Sequence, residues 1–174
     1  MHHLIIPGLN NSGPDHWQSF WEKSLPDTSR VVQENWDYPE KCDWVSRLSR
    51  YISKLDSDTV LVAHSLGVVT AVEWLLEEKN PYVKGAFLVA PPDADSVEII
   101  HDFAPMPMQK LPVPSMVIAS TNDPFVTFER AEAFAKAWGS TFVNVGNLGH
   151  INAKTHLGEW PAGRRFLAEF EASI

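Results

Sequence analysis

Thr59-Val60-Leu61-Val62-Ala63-His64-Ser65-Leu66-Gly67-Val68-Val69-Thr70-Ala71 is the stretch on which the reading of the chain turns. Val60 to Val62 is a short apolar run rich in β-branched residues, the signature of a strand buried on both faces of a parallel sheet. Leu66 to Leu76 reads as a helix, closed by the charged Glu77, Glu78 and Lys79. Ala63-His64-Ser65-Leu66-Gly67 lies between them. It varies the G-x-S-x-G nucleophile elbow, with Ala63 in place of the first glycine, and such a turn lifts its serine hydroxyl above the sheet edge. Small residues at Ala63 and Gly67 allow close backbone approach. The helix N-terminus beneath Ser65 offers free N–H groups and positive dipole to a developing oxyanion. The plainer alternative is a buried strand–turn–helix with an incidental serine.

The surrounding composition narrows the class. A chain of 174 residues, 44% hydrophobic and 21% charged, suits one globular domain over 1–174 with a substantial core. Its net charge of −8 argues against general affinity for nucleic acid or anionic membranes, both of which need basic patches. Cys42 is the sole cysteine, so neither an internal disulfide nor a thiolate metal cluster is expected. His2 and His3 have no clustered carboxylate or thiol beside them, and no metal is expected. The start, Met1-His2-His3-Leu4-Ile5-Ile6-Pro7, lacks a signal peptide's basic stretch and longer apolar run, and no segment is long enough to span a bilayer, which makes the cytoplasm the expected location. Seven tryptophans hint at aromatic surfaces near a pocket, with core packing as the alternative.

Taken in order, the chain alternates. Strands are predicted at His3–Ile6, Val31–Glu34, Val60–Val62, Gly85–Ala90, Val113–Ala119 and Ser140–Val145. Helices are predicted at Asp15–Lys23, Asp43–Leu55, Leu66–Leu76, Thr127–Trp138 and Trp160–Phe170. Ser96 to Lys110, with its Pro105-Met106-Pro107-Met108, has no clear period. Parallel neighbours need right-handed crossovers, so the pattern predicts an α/β fold: a compact parallel sheet of about six strands with helices on both faces. Ligands then bind beyond the carboxyl ends of the strands. Ser65, Asp93, Asp123 and His150 each follow a predicted strand and share that edge.

A serine hydroxyl is a weak nucleophile until a base removes its proton, and histidine has the suitable pKa. A carboxylate behind the imidazole fixes its tautomer. Ser65, Asp123 and His150 occur in the chain order of an α/β-hydrolase triad. Asp93 is a rival to Asp123, since it also follows a strand. The oxyanion hole would take one N–H from Leu66 and another from the loop after the first strand, most plausibly Leu9.

These residues carry a family resemblance. Ile6-Pro7-Gly8 with His16-Trp17, the elbow at 63–67, Val89-Ala90-Pro91, Ser120 to Phe125 and Gly149-His150-Ile151-Asn152 resemble the small serine hydrolases grouped with retinoblastoma-binding protein 9, the YdeN-like α/β-hydrolases. The likeness spans nearly the whole chain. It implies Ser65 as nucleophile, Asp123 as acid and His150 as base, and an esterase-like or peptidase-like activity. The Leu-x-Cys-x-Glu motif of the namesake interaction is absent around Cys42, so that partner is not implied.

Several further expectations follow. The chain should be a serine hydrolase cleaving a small ester, thioester or amide through an acyl-enzyme, without a cofactor; the alternative is a catalytically weak hydrolase fold serving as a protein-interaction module. His16, Trp17, Phe103 and Met106 are candidate substrate-binding residues, although His16 could equally cap the first helix. Phe103 to Met108 is the one apolar stretch placed to roof the site, and with no room for a large lid it favours short acyl groups. His64 is expected to pack and anchor a loop, His156 to lie at the surface, and Cys42 to be a small, at least half-buried residue. The sequence leaves the oligomeric state open, a monomer being compatible with it.

Overall fold

The computed structural model describes Met1–Ile174. Six strands form one sheet: β1 (His2–Ile6), β2 (Thr28–Arg30), β3 (Thr59–His64), β4 (Val83–Val89), β5 (Ser115–Ala119) and β6 (Thr141–Asn144). They lie in the order β2-β1-β3-β4-β5-β6, and every neighbouring pair is parallel. Five helices connect or follow them: α1 (Trp17–Ser24), α2 (Lys41–Ile52), α3 (Leu66–Glu77), α4 (Phe128–Trp138) and α5 (Pro161–Glu171). No helix is long and apolar enough to cross a membrane.

Strand alternation divides the interior into two cores. Leu61 and Ala63 of β3 face a core shared with α2, α3 and α4, which includes Trp44, Leu48, Val72, Phe134 and Trp138. Val60 and Val62 face the opposite core, where Trp17 and Trp21 of α1 meet Leu167 and Phe170 of α5. All of β3 is buried, because a central parallel strand has covering helices on both sides. Register then aligns the ends that matter. Ile6 pairs with Ala63, so the Pro7-Gly8-Leu9 loop leaves the sheet beside the elbow, and Ala119 pairs with Asn144, so the loops carrying Asp123 and His150 start side by side.

The structure moves one strand. The edge strand is Thr28–Arg30 and not 31–34: Val31 still donates its N–H to Ile5 O at 2.9 Å, then the chain turns away with Val32 exposed. An edge strand with only half-buried side chains needs no apolar run, and Thr-Ser-Arg carries no period to see. The tryptophans are core: six of the seven are buried, and Trp36 is half-buried. Cys42 is exposed on α2, contrary to the sequence expectation, because it falls on that helix's outward face while Trp44 and Leu48 point inward.

Candidate active site

Ser65 has φ 56° and ψ −128°, outside the helical and extended regions, between the last residue of β3 and the first of α3. A residue with a side chain holds such a backbone only when its neighbours over-determine it. The Ser65 N–H donates to Val89 O of β4 at 3.0 Å. A Cβ on Gly67 would lie 2.2 Å from Ile6 O, and one on Gly8 would lie 2.7 Å from Ser65 Cβ and 3.2 Å from Leu66 N. Both glycines therefore allow the first loop to close onto the elbow. The amides of Leu9 and Leu66 donate to no other group of the chain, and both residues line the cleft around Ser65. Two unpaired N–H groups in the cleft that holds a serine hydroxyl can donate to an oxyanion that forms there.

His150 Nε2 lies 2.7 Å from Ser65 Oγ, and its Nδ1 lies 2.8 and 2.9 Å from the two carboxylate oxygens of Asp123. The carboxylate can only accept, so Nδ1 carries the proton and the Nε2 lone pair faces the hydroxyl. The Asp123 side chain is 1% exposed, and one of its oxygens also accepts the Phe125 N–H at 2.9 Å. The edge of Phe125 packs against the His150 ring with centroids 4.6 Å apart. Backbone contacts fix the histidine loop from both sides. His64 Nε2 donates to His150 O at 2.9 Å, and Trp17 Nε1 donates to Ile151 O at 2.8 Å. Ser120 Oγ accepts the Leu148 N–H at 2.9 Å, and Asn122 Oδ1 accepts the Gly149 N–H at 2.7 Å.

The neighbouring histidines differ from His150. Burial, then the charge of Arg30 and then that of His150, lower the His16 pKa to about 3. Burial likewise drives His64 well below the ordinary histidine value, with His16 and His150 adding to the effect. Both rings are therefore neutral near pH 7. His16 Nδ1 accepts the Gln18 N–H at 3.1 Å and so caps α1, while the buried His16 Nε2 has no partner. His16 thus both caps the helix and lines the cleft.

The cleft holds about 350 Å³. A larger groove of about 550 Å³ between α2 and α3 contains none of these residues. Three of the candidate substrate-binding residues do not line the cleft. Trp17 is 1% exposed in the core beneath it, Phe103 is fully buried with its ring 6.3 Å from Trp44, and Met106 is buried beside it in the same core. The 3₁₀ segment Glu98–Phe103 turns Phe103 under α2 and offers Val97, Ile99 and Ile100 to the cleft instead. The large aromatic loses more water-exposed area in the core than a shallow rim could cover. Asp93 does not approach the imidazole. Its oxygens lie 2.9 Å from Nε and 3.4 Å from Nη2 of Arg130, whose Nη2 also bonds Asp95.

Four positioning groups escaped the sequence reading: Gln18, Ser120, Asn122 and Arg130. Gln18 is fully buried; its Nε2 donates to Ile6 O and Val62 O, and its Oε1 accepts from Ser12 Oγ at 2.6 Å, tying the first loop to β1 and β3. The available signal was a polar residue beside the Trp17–Trp21 face of α1. Ser120 and Asn122 were visible only as neighbours of Asp123.

The model of the serine hydrolase family matches residues 3–169. Among solved structures, a protein from Pectobacterium atrosepticum named as a YdeN-like hydrolase is 36% identical, with a TM-score of 0.88 over 97% of this chain and 89% of that one. The ydeN gene product of Bacillus subtilis is 22% identical, with a TM-score of 0.84 over 99% of this chain and all of that one. Est1E from Butyrivibrio proteoclasticus, solved with ferulic acid bound, is 15% identical with a TM-score of 0.70 over 98% of this chain and 89% of that one. The last two likenesses concern the fold alone, the α/β-hydrolase fold. A search of curated proteins finds no match.

Proposed function

The chain belongs to the serine hydrolase family and is a YdeN-like α/β-hydrolase, and from that premise we propose that it cleaves a small ester, thioester or amide through an acyl-enzyme on Ser65. The observation that carries this is the unbroken line of contacts from Ser65 Oγ through the His150 ring to Asp123. Ser65 Oγ attacks the acyl carbon as its proton passes to His150 Nε2. The carbonyl oxygen becomes an oxyanion that accepts from the Leu9 and Leu66 N–H groups, which are unpaired and line the cleft. Collapse breaks the bond to the leaving atom, which takes the proton from Nε2. Water then repeats the sequence in reverse roles: His150 takes its proton, hydroxide adds to the acyl carbon, and Ser65 leaves with the proton returned. Asp123 holds Nδ1–H throughout and stabilises the imidazolium.

The cleft's size suits a short acyl group better than a long lipid chain. A fluorophosphonate tests the reading directly: one equivalent should label Ser65, and Ser65→Ala should lose both labelling and hydrolysis of p-nitrophenyl butyrate while keeping its circular dichroism. A folded protein that takes no label would instead support an interaction module, and full activity in Ser65→Ala would end the assignment.

A further inference from the structure

The walls of the cleft come from opposite faces of the sheet and differ in chemistry. On the α2 side, Val97, Ile99 and Ile100 present an apolar wall, with Ile99 half exposed and Ile100 rooted in the core shared with α2 and α3. On the α1 side, the wall is formed by His16, Asn152 and Lys154, joined to α1 through the Trp17 bond to Ile151. The chain carries 22 acidic against 14 basic residues, yet no carboxylate lines this cleft. Its one lysine, Lys154, is exposed and in no ion pair. A wall without anions in an otherwise anionic protein, holding an unpaired lysine, is complementary to a negative group.

The direction of bond cleavage says which half of the substrate meets which wall. The leaving atom must lie at His150 Nε2 to receive its proton, and the polar wall begins two residues beyond His150. We infer that the substrate is an ester or amide of a compact apolar acid whose leaving group ends in a carboxylate, as in an acylated amino or hydroxy acid. Lys154 receives that carboxylate and the Val97–Ile100 wall receives the acyl chain. The inference rests on the acyl-transfer reading above.

The test compares two leaving groups of matched acidity, 3-(carboxymethyl)phenyl butyrate and its carboxamide, 3-(carbamoylmethyl)phenyl butyrate. The readout is the ratio of their kcat/KM within each variant, so that losses common to both esters cancel. The wild-type protein should favour the carboxylate about two- to fivefold, the range of a solvent-exposed ion pair. Lys154→Met should bring the ratio near unity, and Lys154→Glu should invert it. A second pair, monophenyl succinate against phenyl butyrate, moves the carboxylate to the acyl side and should show no such preference. A wild-type ratio at or below one, a ratio untouched by both Lys154 variants, or a preference for the succinate would overturn the inference. If fluorophosphonate labels Ser65 but neither phenyl ester is turned over, the substrate class is wrong and the hydrolase reading stands. If Ser65 takes no label, both fall together.

Discussion

Asp93 and Asp123 occupy equivalent places, each four residues beyond the end of its strand, β4 for one and β5 for the other, and each is buried. Their partners separate them. Asp93 meets Arg130, a permanently charged group with no proton to exchange, and its side chain keeps 11% of its exposure. Asp123 meets His150, which can gain and lose a proton, and its side chain keeps 1%. One carboxylate fastens its loop to the first turn of α4; the other holds a ring whose second nitrogen faces Ser65. Position on the sheet edge therefore made both eligible, and the titratable partner made only one fit for proton transfer.

The hardest test of that contrast exchanges each carboxylate for its amide. Asp123→Asn replaces an acceptor-only carboxylate by an amide that can donate to Nδ1 and so favours the wrong His150 tautomer, and turnover should drop on the order of 10⁴-fold with the fold retained, the size known for this exchange in a trypsin-like triad. Asp93→Asn should leave turnover within a few-fold and instead lower stability by about 1–3 kcal/mol, since Arg130 loses a charged partner in a part-buried setting. Stopped-flow or steady-state turnover beside urea denaturation separates the two signatures. Crippled turnover in Asp93→Asn would put the acid on the wrong strand.

A gentler probe uses a buried polar group with no opposite charge at all. His16 titrates at about 3 in the folded chain against 6.5 as the ordinary value. The unfolded chain therefore binds a proton near pH 6.5 that the folded chain refuses until about pH 3, and stability falls as pH drops through that window. The slope from this one group approaches about 1.4 kcal/mol per pH unit. His16→Asn keeps an oxygen to cap α1 and removes the titration, so urea midpoints measured from pH 7 to pH 4 should fall less steeply than in the wild type. Equal slopes would mean that His16 is accessible to protons when folded.

Regular alternation of β-branched runs with amphipathic stretches made the central sheet legible, because buried parallel strands advertise themselves by apolar content. Ser65 and His150 stood out since their local motifs need small residues for close approach. The edge strand Thr28–Arg30 escaped because half-buried residues leave no pattern, and its apolar neighbour Val31 drew the boundary forward. Phe103 and Met106 were misplaced for a related reason: in a segment without period, nothing local says whether an apolar side chain faces a cleft or a core. Ser120, Asn122 and Gln18 act through hydrogen bonds to backbone far along the chain, a relation that only the folded topology creates. Asp93 and Asp123 could not be told apart until Arg130, distant in sequence, was brought to one of them.

The left-handed backbone of Ser65 has a consequence for how this chain can change. A residue bearing a side chain is unfavourable there by about 1–3 kcal/mol, and glycine would relieve most of it. Selection for folding alone would therefore drift toward glycine at that position and erase the hydroxyl. If Ser65 is the nucleophile, a sequence survey of relatives could use the identity of this one residue to sort members able to form an acyl-enzyme from those that are not.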